Sequence, residues 1–220
     1  MLKSKIKYEP RRAERYVVGG FLFKRYNTSQ LRDEYSSYLS RIDLINSFEY
    51  QNYPCLTPTY ISVNNDTVLY KQKFITKSLV NHIDHSSLCQ LSKALDYLER
   101  IGFVHGDLNR KNIIKTIDGY KVIDFEPSLI QFRNGREALV TTPPYYSMSE
   151  YSKGRLTSLS DKIGFYYFIM RLLGTFNNKK LSQLLKNRDH SVYLDEEELK
   201  QKSFFEILEY SLVRNLNLSH

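Results

Sequence analysis

The sequence contains few of the residues on which disulfide-bonded, metal-binding or membrane-spanning proteins depend. It has two cysteines, Cys55 and Cys89, whose spacing predicts neither a disulfide framework nor a cysteine-based metal site. No apolar run approaches the length of a membrane span, and the first ten residues contain no apolar stretch of signal-peptide length. We therefore expect a cytoplasmic protein with reduced cysteines and no membrane span.

Acidic residues are too few to balance the basic ones. The 220 residues include 32 Lys and Arg against 24 Asp and Glu, which gives a net charge of +8. This excess favours phosphate-bearing ligands, namely a nucleotide, a nucleic acid or an anionic surface. Net charge alone does not choose among them, and we find no specific sign of nucleic-acid binding. The length suits one compact unit or two small lobes.

The most informative stretch runs from Phe103 to Leu129, FVHGDLNRKNIIKTIDGYKVIDFEPSL. Two apolar runs flank the turn signal Asp118-Gly119, a pattern that predicts a β-hairpin. Asn112 precedes the first strand and Asp124 follows the second, so both should lie at the open end of the hairpin. An amide oxygen and a carboxylate that converge there suit a hard cation such as Mg²⁺. Asp107 lies on the same rim, placed to orient a hydroxyl and accept its proton.

These residues resemble two motifs of the protein-kinase-like superfamily. HGDLNRKN is similar to the catalytic loop H-R-D-x-x-x-x-N, and IDFE is similar to the metal-binding motif D-F-G. The resemblance implies that Asp107 is the catalytic base and that Asn112 and Asp124 hold Mg²⁺ beside bound ATP. It also implies an α+β fold with two lobes, a small antiparallel β N-lobe in residues 1–76 and a mainly helical C-lobe in residues 77–220. The alternative is a β-hairpin with incidental polar residues, and two motifs in the right order and spacing weigh against it.

The resemblance extends to two residues of the predicted N-lobe. Lys24, in the predicted strand FLFKRY, is similar to the strand lysine that holds the α- and β-phosphates of ATP. Glu34, near the start of a predicted helix, is similar to the glutamate that pairs with that lysine, with Asp33 as a competing choice. The alternative for each is an ordinary charged residue on a solvated strand or helix.

Three features depart from the family pattern. The connection before the second predicted strand reads EPRRAE and contains no glycine, whereas the family has a glycine-rich loop over the phosphates. Either Arg11 and Arg12 compensate with side-chain charge or nucleotide binding is weak. Gly106 replaces the arginine that usually pairs with a phosphorylated activation loop. Glu126 replaces the glycine after Asp-Phe, which disfavours a large flip of that segment.

Downstream segments bear on the substrate. TTPPYYSMSE at 141–150 resembles the end of a protein-kinase activation segment. Asp161 resembles the buried aspartate that anchors the catalytic loop, and it also suits a helix N-terminus. These features favour a small Ser/Thr protein kinase. His-Gly-Asp resembles the aminoglycoside- and choline-kinase branch instead, which favours a sugar, antibiotic or lipopolysaccharide hydroxyl as acceptor. A pseudokinase that acts as a binding module is the third hypothesis.

Hydrophobic periodicity predicts the remaining elements. The predicted strands are 5–8, 15–18, 21–26, 55–63 and 67–75, with Gly19-Gly20 as a hairpin turn. The predicted helices are 29–47, 86–100, 162–173, 179–186 and 196–216. Residues 71–76 are expected to form the hinge between the lobes, and 131–137 a polar link.

Overall fold

The computed structural model describes residues 14–27, 42–64, 67–77, 84–125, 131–133, 136–138, 150, 157–174 and 195–218. These residues form an α+β structure. A small antiparallel sheet lies in the first part of the described chain, and the longer helices follow it.

The sheet has four antiparallel strands in the order β1-β2-β4-β3. The strands are β1 (Glu14–Val18), β2 (Phe21–Asn27), β3 (Thr59–Asn64) and β4 (Thr67–Lys73). Gly19 and Gly20 have φ angles of 56° and 78°, as the tight β1–β2 turn requires. The predicted hairpin turn at Gly19-Gly20 is confirmed, and β3 pairs with β4 in the region of predicted strands 55–63 and 67–75. Because β2 lies between β1 and β4, its Lys24 is directly opposite Tyr70 of β4.

A separate two-stranded hairpin contains the end of the predicted catalytic stretch. Its strands are β5 (Ile113–Thr116) and β6 (Gly119–Val122). Thr116 pairs with Gly119, so the turn residues are Ile117 and Asp118, one position earlier than the turn signal predicted. Gly119 has φ of 105° and ends the turn.

Hairpin β5–β6 is joined to the segment that precedes β3. Leu56 forms a parallel bridge with Val122. The Val122 amide donates to the Cys55 carbonyl at 2.7 Å, and the Thr57 amide donates to the Val122 carbonyl at 3.1 Å. The expected strand 55–63 is therefore wrong at its start, since residues 55–57 pair with β6 and β3 begins at Thr59.

The expectation of a polar link at 131–137 is also wrong. A further short hairpin of β7 (Gln131–Arg133) and β8 (Arg136–Ala138) occupies this region. The strands are antiparallel, and Arg133 pairs with Arg136. The segment has no apolar alternation, which is why periodicity did not reveal the two strands.

The helices are α1 (His85–Arg100), α2 (Ser158–Leu172), α3 (Glu196–Gln201) and α4 (Phe204–Leu218). Helix α1 buries Leu88, Leu91, Leu95 and Leu98, as its spacing predicted, and stops before Gly102 at φ 75°. Helix α2 is buried on all sides from Leu159 to Met170, because its neighbours enclose it completely. A helical turn at 42–46 is the described part of predicted helix 29–47.

The expected single helix 196–216 is two helices, α3 and α4, separated at Lys202 and Ser203. Ser203 and Glu206 form a capping box at the start of α4. The Ser203 amide donates to the Glu206 carboxylate at 2.7 Å, and the Glu206 amide donates to Ser203 Oγ at 3.1 Å. The Phe204 amide donates to Asp96 of α1 at 2.7 Å. The signal Ser-x-x-Glu was present in the sequence and would have placed the break.

Several predictions concern residues outside the described ranges. These are strand 5–8, most of helix 29–47, helix 179–186, segment 141–149, and the residues Arg11, Arg12, Asp33, Glu34 and Glu126. Within the described ranges, no helix combines the length and apolar character that crossing a membrane requires.

Candidate active site

The loop that holds Asp107 is anchored to helix α2 through Asp161. The amides of His105 and Gly106 donate to the two carboxylate oxygens of Asp161, at 2.6 and 2.8 Å. Asp161 is 5% exposed and lies in the first turn of α2, where the helix dipole stabilises a negative charge. Gly106 has φ of 78°, a left-handed backbone conformation that favours glycine. The predicted anchoring contact is therefore present, together with the helix-terminal position.

Gly164, one turn further along α2, sets how closely the helix approaches this loop. A Cβ atom at Gly164 would lie 1.9 Å from the Leu108 carbonyl oxygen and 3.0 Å from its carbon. Those atoms belong to the backbone and cannot rotate away. Glycine is required here because α2 packs directly against the residue that follows Asp107.

Two asparagine amides fix the Asp107 carboxylate. Asn109 Nδ2 donates to Oδ1 at 2.8 Å, and Asn112 Nδ2 donates to Oδ2 at 3.0 Å. Both amide groups also donate to the Asp107 carbonyl, at 2.9 and 2.8 Å. The two amides therefore hold the Asp107 carboxylate in one orientation, and its oxygens are acceptor atoms.

His105 connects the loop to the strand that leads to Asp124. Its Nε2 donates to the Ile123 carbonyl at 2.9 Å, and its Nδ1 accepts from the Asp107 amide at 3.3 Å. This pairing requires the neutral ring with its proton on Nε2. The Ile123 amide donates to the Asn112 carbonyl at 2.9 Å. Asn112 and Asp124 consequently lie at the same open end of hairpin β5–β6.

Asp124 has an unusual backbone conformation. Among the described residues it is the single non-glycine with positive φ, at 66°. Its amide donates to Gln72 Oε1 of β4 at 3.1 Å. The next side chain, Phe125, is fully buried against Phe48 and Phe103, with ring centroids 5.4 and 6.0 Å apart. The buried ring and the Gln72 contact together hold Asp124 in place.

Lys24 reaches from the sheet to Asp124. Its Nζ forms an ion pair and hydrogen bond with Asp124 Oδ1. Lys24 is 5% exposed, and its Nζ lies 5.0 Å from the centre of the Tyr70 ring. Burial, and then the charge of Asp124, raise the pKa of Tyr70 well above its usual value. Tyr70 thus stays protonated, and its hydroxyl donates to Gln72 Oε1 at 2.5 Å. This hydrogen bond orients the Gln72 side chain, whose Oε1 also accepts the Asp124 amide.

Glu150 also forms hydrogen bonds with the N-terminal end of α2, the end that contains Asp161. Its Oε1 accepts the Thr157 amide at 2.7 Å and the Ser160 amide at 3.3 Å. Glu150 is 4% exposed. The N-terminal turn of α2 therefore has two buried carboxylates: Glu150 accepts hydrogen bonds from its amides, and Asp161 belongs to it and anchors the loop that holds Asp107.

The site offers oxygen ligands suited to Mg²⁺ when substrate phosphates supply the others. Asn112 uses its amide nitrogen on Asp107, which leaves its Oδ1 as the atom available to a cation. Asp124 gives one oxygen to Lys24, and its side chain is 36% exposed, so the carboxylate is accessible. No cluster of three or more His, Cys, Asp or Glu side chains in the described ranges could bind a metal by itself. An Asn-Asp pair fits a cation that retains water and phosphate ligands.

Four of the five predicted site residues are thus described: Lys24 and Asp124 in contact, Asp107 and Asn112 in contact. Glu34 lies outside the described ranges.

Sequence reasoning missed Asn109, Gln72 and Gly164. Gln72 had a signal, because it shares the buried alternating face of β4 with Val68 and Tyr70, where a polar side chain needs a partner. Asn109 and Gly164 had no signal that separates them from ordinary loop and helix residues.

Comparison with known proteins adds no family assignment. No protein-family model matches the chain, and no curated protein is significantly similar to it in sequence.

Proposed function

We propose that the protein is an ATP-dependent phosphotransferase with a two-lobed, protein-kinase-like fold, and that it transfers the γ-phosphate of Mg-ATP to a hydroxyl group. One observation carries the proposal. Asp107, fixed by Asn109 and Asn112, shares a site with Asp124, which Lys24 contacts from a different part of the molecule. A proton acceptor, two oxygen ligands and a buried cation are the groups that phosphoryl transfer uses.

Each residue has a distinct role in the proposed reaction. Asp107 orients the acceptor hydroxyl and takes its proton as the oxygen bonds to the γ-phosphorus and ADP leaves. Asn112 Oδ1 and the Asp124 carboxylate hold Mg²⁺, which when bound neutralises charge that develops on the phosphates. Lys24 exchanges its contact with Asp124 for the α- and β-phosphates. Glu34 keeps the role that the resemblance gives it, as a partner of Lys24.

We propose a protein as the acceptor and a Ser/Thr side chain as the phosphorylated group. The sequence of segment 141–150 supports this choice, and its last residue, Glu150, accepts hydrogen bonds from the Thr157 and Ser160 amides at the start of α2. A sugar, antibiotic or lipopolysaccharide hydroxyl is the alternative acceptor, favoured by His-Gly-Asp.

A second candidate function is a pseudokinase that serves as a binding module. Lys24 and Asp124, both of which would face a nucleotide, are paired with each other. The glycine-free connection EPRRAE favours the same candidate. The two functions differ in their need for Asp107, since transfer requires a proton acceptor and nucleotide binding does not.

The test is the variant Asp107→Ala, compared with Asp118→Ala, which removes an exposed carboxylate at the far end of the hairpin. Melting temperature, ATP affinity with Mg²⁺ and transfer of labelled phosphate are measured on one preparation of each. We expect Asp107→Ala to lose a factor on the order of 10²–10⁴ in transfer rate while ATP affinity is unchanged. Equal rates in Asp107→Ala and wild type would overturn the proposal. Absence of transfer by wild type to itself, protein mixtures or sugars would leave the pseudokinase.

A further inference from the structure

A cavity of about 560 Å³ is bordered by the end of stretch 71–76, the expected hinge. Its walls come from the coil at 74–77 after β4, from the β5–β6 turn, and from the segment around Pro54 and Pro58. None of Lys24, Asp107, Asn112 and Asp124 lines it. The groups proposed for phosphoryl transfer therefore do not account for this cavity.

The cavity is bordered mainly by positive charge. Lys73, Lys77 and Lys121 line it, against the single carboxylate of Asp118 among the described residues. Lys73 and Lys77 are exposed. Lys121 is tied to the cavity wall, because its Nζ donates to the Pro54 carbonyl at 2.8 Å. This distribution favours a ligand with more than one negative group.

Apolar side chains at the rim are exposed to an unusual degree. Ile117 is 92% exposed and Phe74 is 49% exposed, and both line the cavity. Ile117 lies at the tip of a two-residue turn, where small polar residues are the norm. The fold gains nothing from a β-branched apolar residue at that position. Burial of Ile117 and Phe74 by a ligand would remove this apolar surface from water.

The size and spacing select the kind of ligand. A cavity of this volume accommodates one or two large side chains of a bound chain. Lys73 and Lys77 are four positions apart in the chain and present two ammonium groups to a ligand. Several acidic residues on one extended peptide can pair with both lysines, whereas a monocarboxylate has one charged group to offer.

We propose that this cavity binds an acidic peptide segment of a partner protein, with an apolar side chain against Phe74 and Ile117 and acidic side chains against Lys73 and Lys77. The proposal goes beyond phosphoryl transfer and does not require it. A chain that binds such a peptide and transfers no phosphate would retain this site and lose the proposed function. If both hold, the site recruits protein substrates at a distance from Asp107.

The experiment uses fluorescein-labelled synthetic peptides in which glutamates flank one apolar residue, and the identity of that apolar residue differs from peptide to peptide. Matched control peptides have lysines in place of the glutamates. Fluorescence anisotropy measures their binding to the full chain. The test variants are the double reversal Lys73→Glu with Lys77→Glu, and Ile117→Ser. The control is Lys93→Glu with Lys200→Glu, which makes the same change in net charge at exposed positions of α1 and α3.

We expect saturable binding of at least one acidic peptide and none of the lysine peptides. The double reversal should weaken that binding about tenfold, with a smaller loss for Ile117→Ser and none for the control. Added salt should weaken it further. The proposal is overturned by either of two results: no acidic peptide binds, whether or not a small carboxylate such as benzoate does, or the control weakens binding as much as the double reversal.

Discussion

At the residue scale, Gly164 is a position where one added methyl group would clash with the backbone of the neighbouring loop. We expect Gly164→Ala to lower the free energy of unfolding by about 1–3 kcal/mol, the usual effect of overpacking, because its Cβ would meet the Leu108 carbonyl. It should also lower the rate of phosphate transfer more than that loss of stability explains, since Leu108 follows Asp107 directly.

The control for Gly164→Ala is Ile169→Val, a change at a buried position roughly 140° further around α2. Chemical denaturation and the transfer assay are run on both variants. Denaturant is added to Ile169→Val until its stability equals that of Gly164→Ala. If the two variants then lose the same fraction of the transfer rate, Gly164 has no particular influence on the loop.

Asp124 carries the second prediction at this scale. We expect Asp124→Ala to weaken Mg²⁺-dependent ATP binding by about tenfold or more, because the variant removes one of two protein oxygens proposed for the cation. Calorimetry with and without Mg²⁺ measures this effect. Asp43→Ala, which removes an exposed aspartate from the helical turn at 42–46, is the control. Unchanged affinity in Asp124→Ala would show that the metal assignment is wrong.

At the element scale, the contact between α1 and α4 contains a titratable group. Burial raises the pKa of Asp96, against the lowering effect of the hydrogen bonds from the Phe204 and Phe205 amides. A carboxyl group with a higher pKa in the folded protein stabilises the fold fully below its unfolded-state pKa. That contribution is lost as the pH rises through the folded-state value.

Asp96→Asn tests this pH dependence, since asparagine still accepts from the Phe204 amide and does not titrate. As the pH rises from about 4 to about 7, we expect the free energy of unfolding of the variant to increase relative to that of wild type. Urea denaturation at several pH values provides the measurement. In the control Asp118→Asn, the free energy of unfolding should change with pH as it does in wild type. The same pH dependence in Asp96→Asn would contradict the prediction.

The elements also mark where sequence reasoning succeeded and where it failed. Helix α1 was predictable, because its four buried leucines fall on one face and a glycine ends it. The hairpin β5–β6 was predictable from its apolar runs, although the turn is displaced by one residue, since Thr116 rather than Ile117 begins it. The break before α4 was missed because apolar periodicity continues through it, while the Ser203-Glu206 signal is local.

At the scale of the whole molecule, the candidate site was predictable where its residues are close in sequence. Asp107, Asn112 and Asp124 lie on one loop and one hairpin, so local geometry brings them together. The role of Gln72 depends on the docking of the sheet against that hairpin, and the role of Gly164 on the docking of α2. No local pattern specifies either contact, because both arise from tertiary packing.

Regulation is the last prediction at this scale. Gly106 provides no cation to bind a phosphorylated segment, and its amide is held by Asp161 irrespective of phosphorylation. We therefore expect phosphate transfer by phosphatase-treated protein to equal that of the untreated protein. The assay compares the two preparations, with a mock treatment as control. Complete loss of activity that returns on rephosphorylation would refute this.

The pair of Lys24 and Asp124 also has a consequence for the order of folding. The two residues are 100 positions apart in the chain, whereas Asp107 and Asn112 are five apart. Closing so long a loop has a large entropic cost, which is offset only when the sheet and the hairpin have already docked. The contacts of Asp107 with Asn109 and Asn112 can thus form early, because they are local, whereas the contact of Lys24 with Asp124 forms only once the distant parts of the chain have met. A partly folded chain would hold the Asp107 carboxylate in place before Lys24 reaches Asp124.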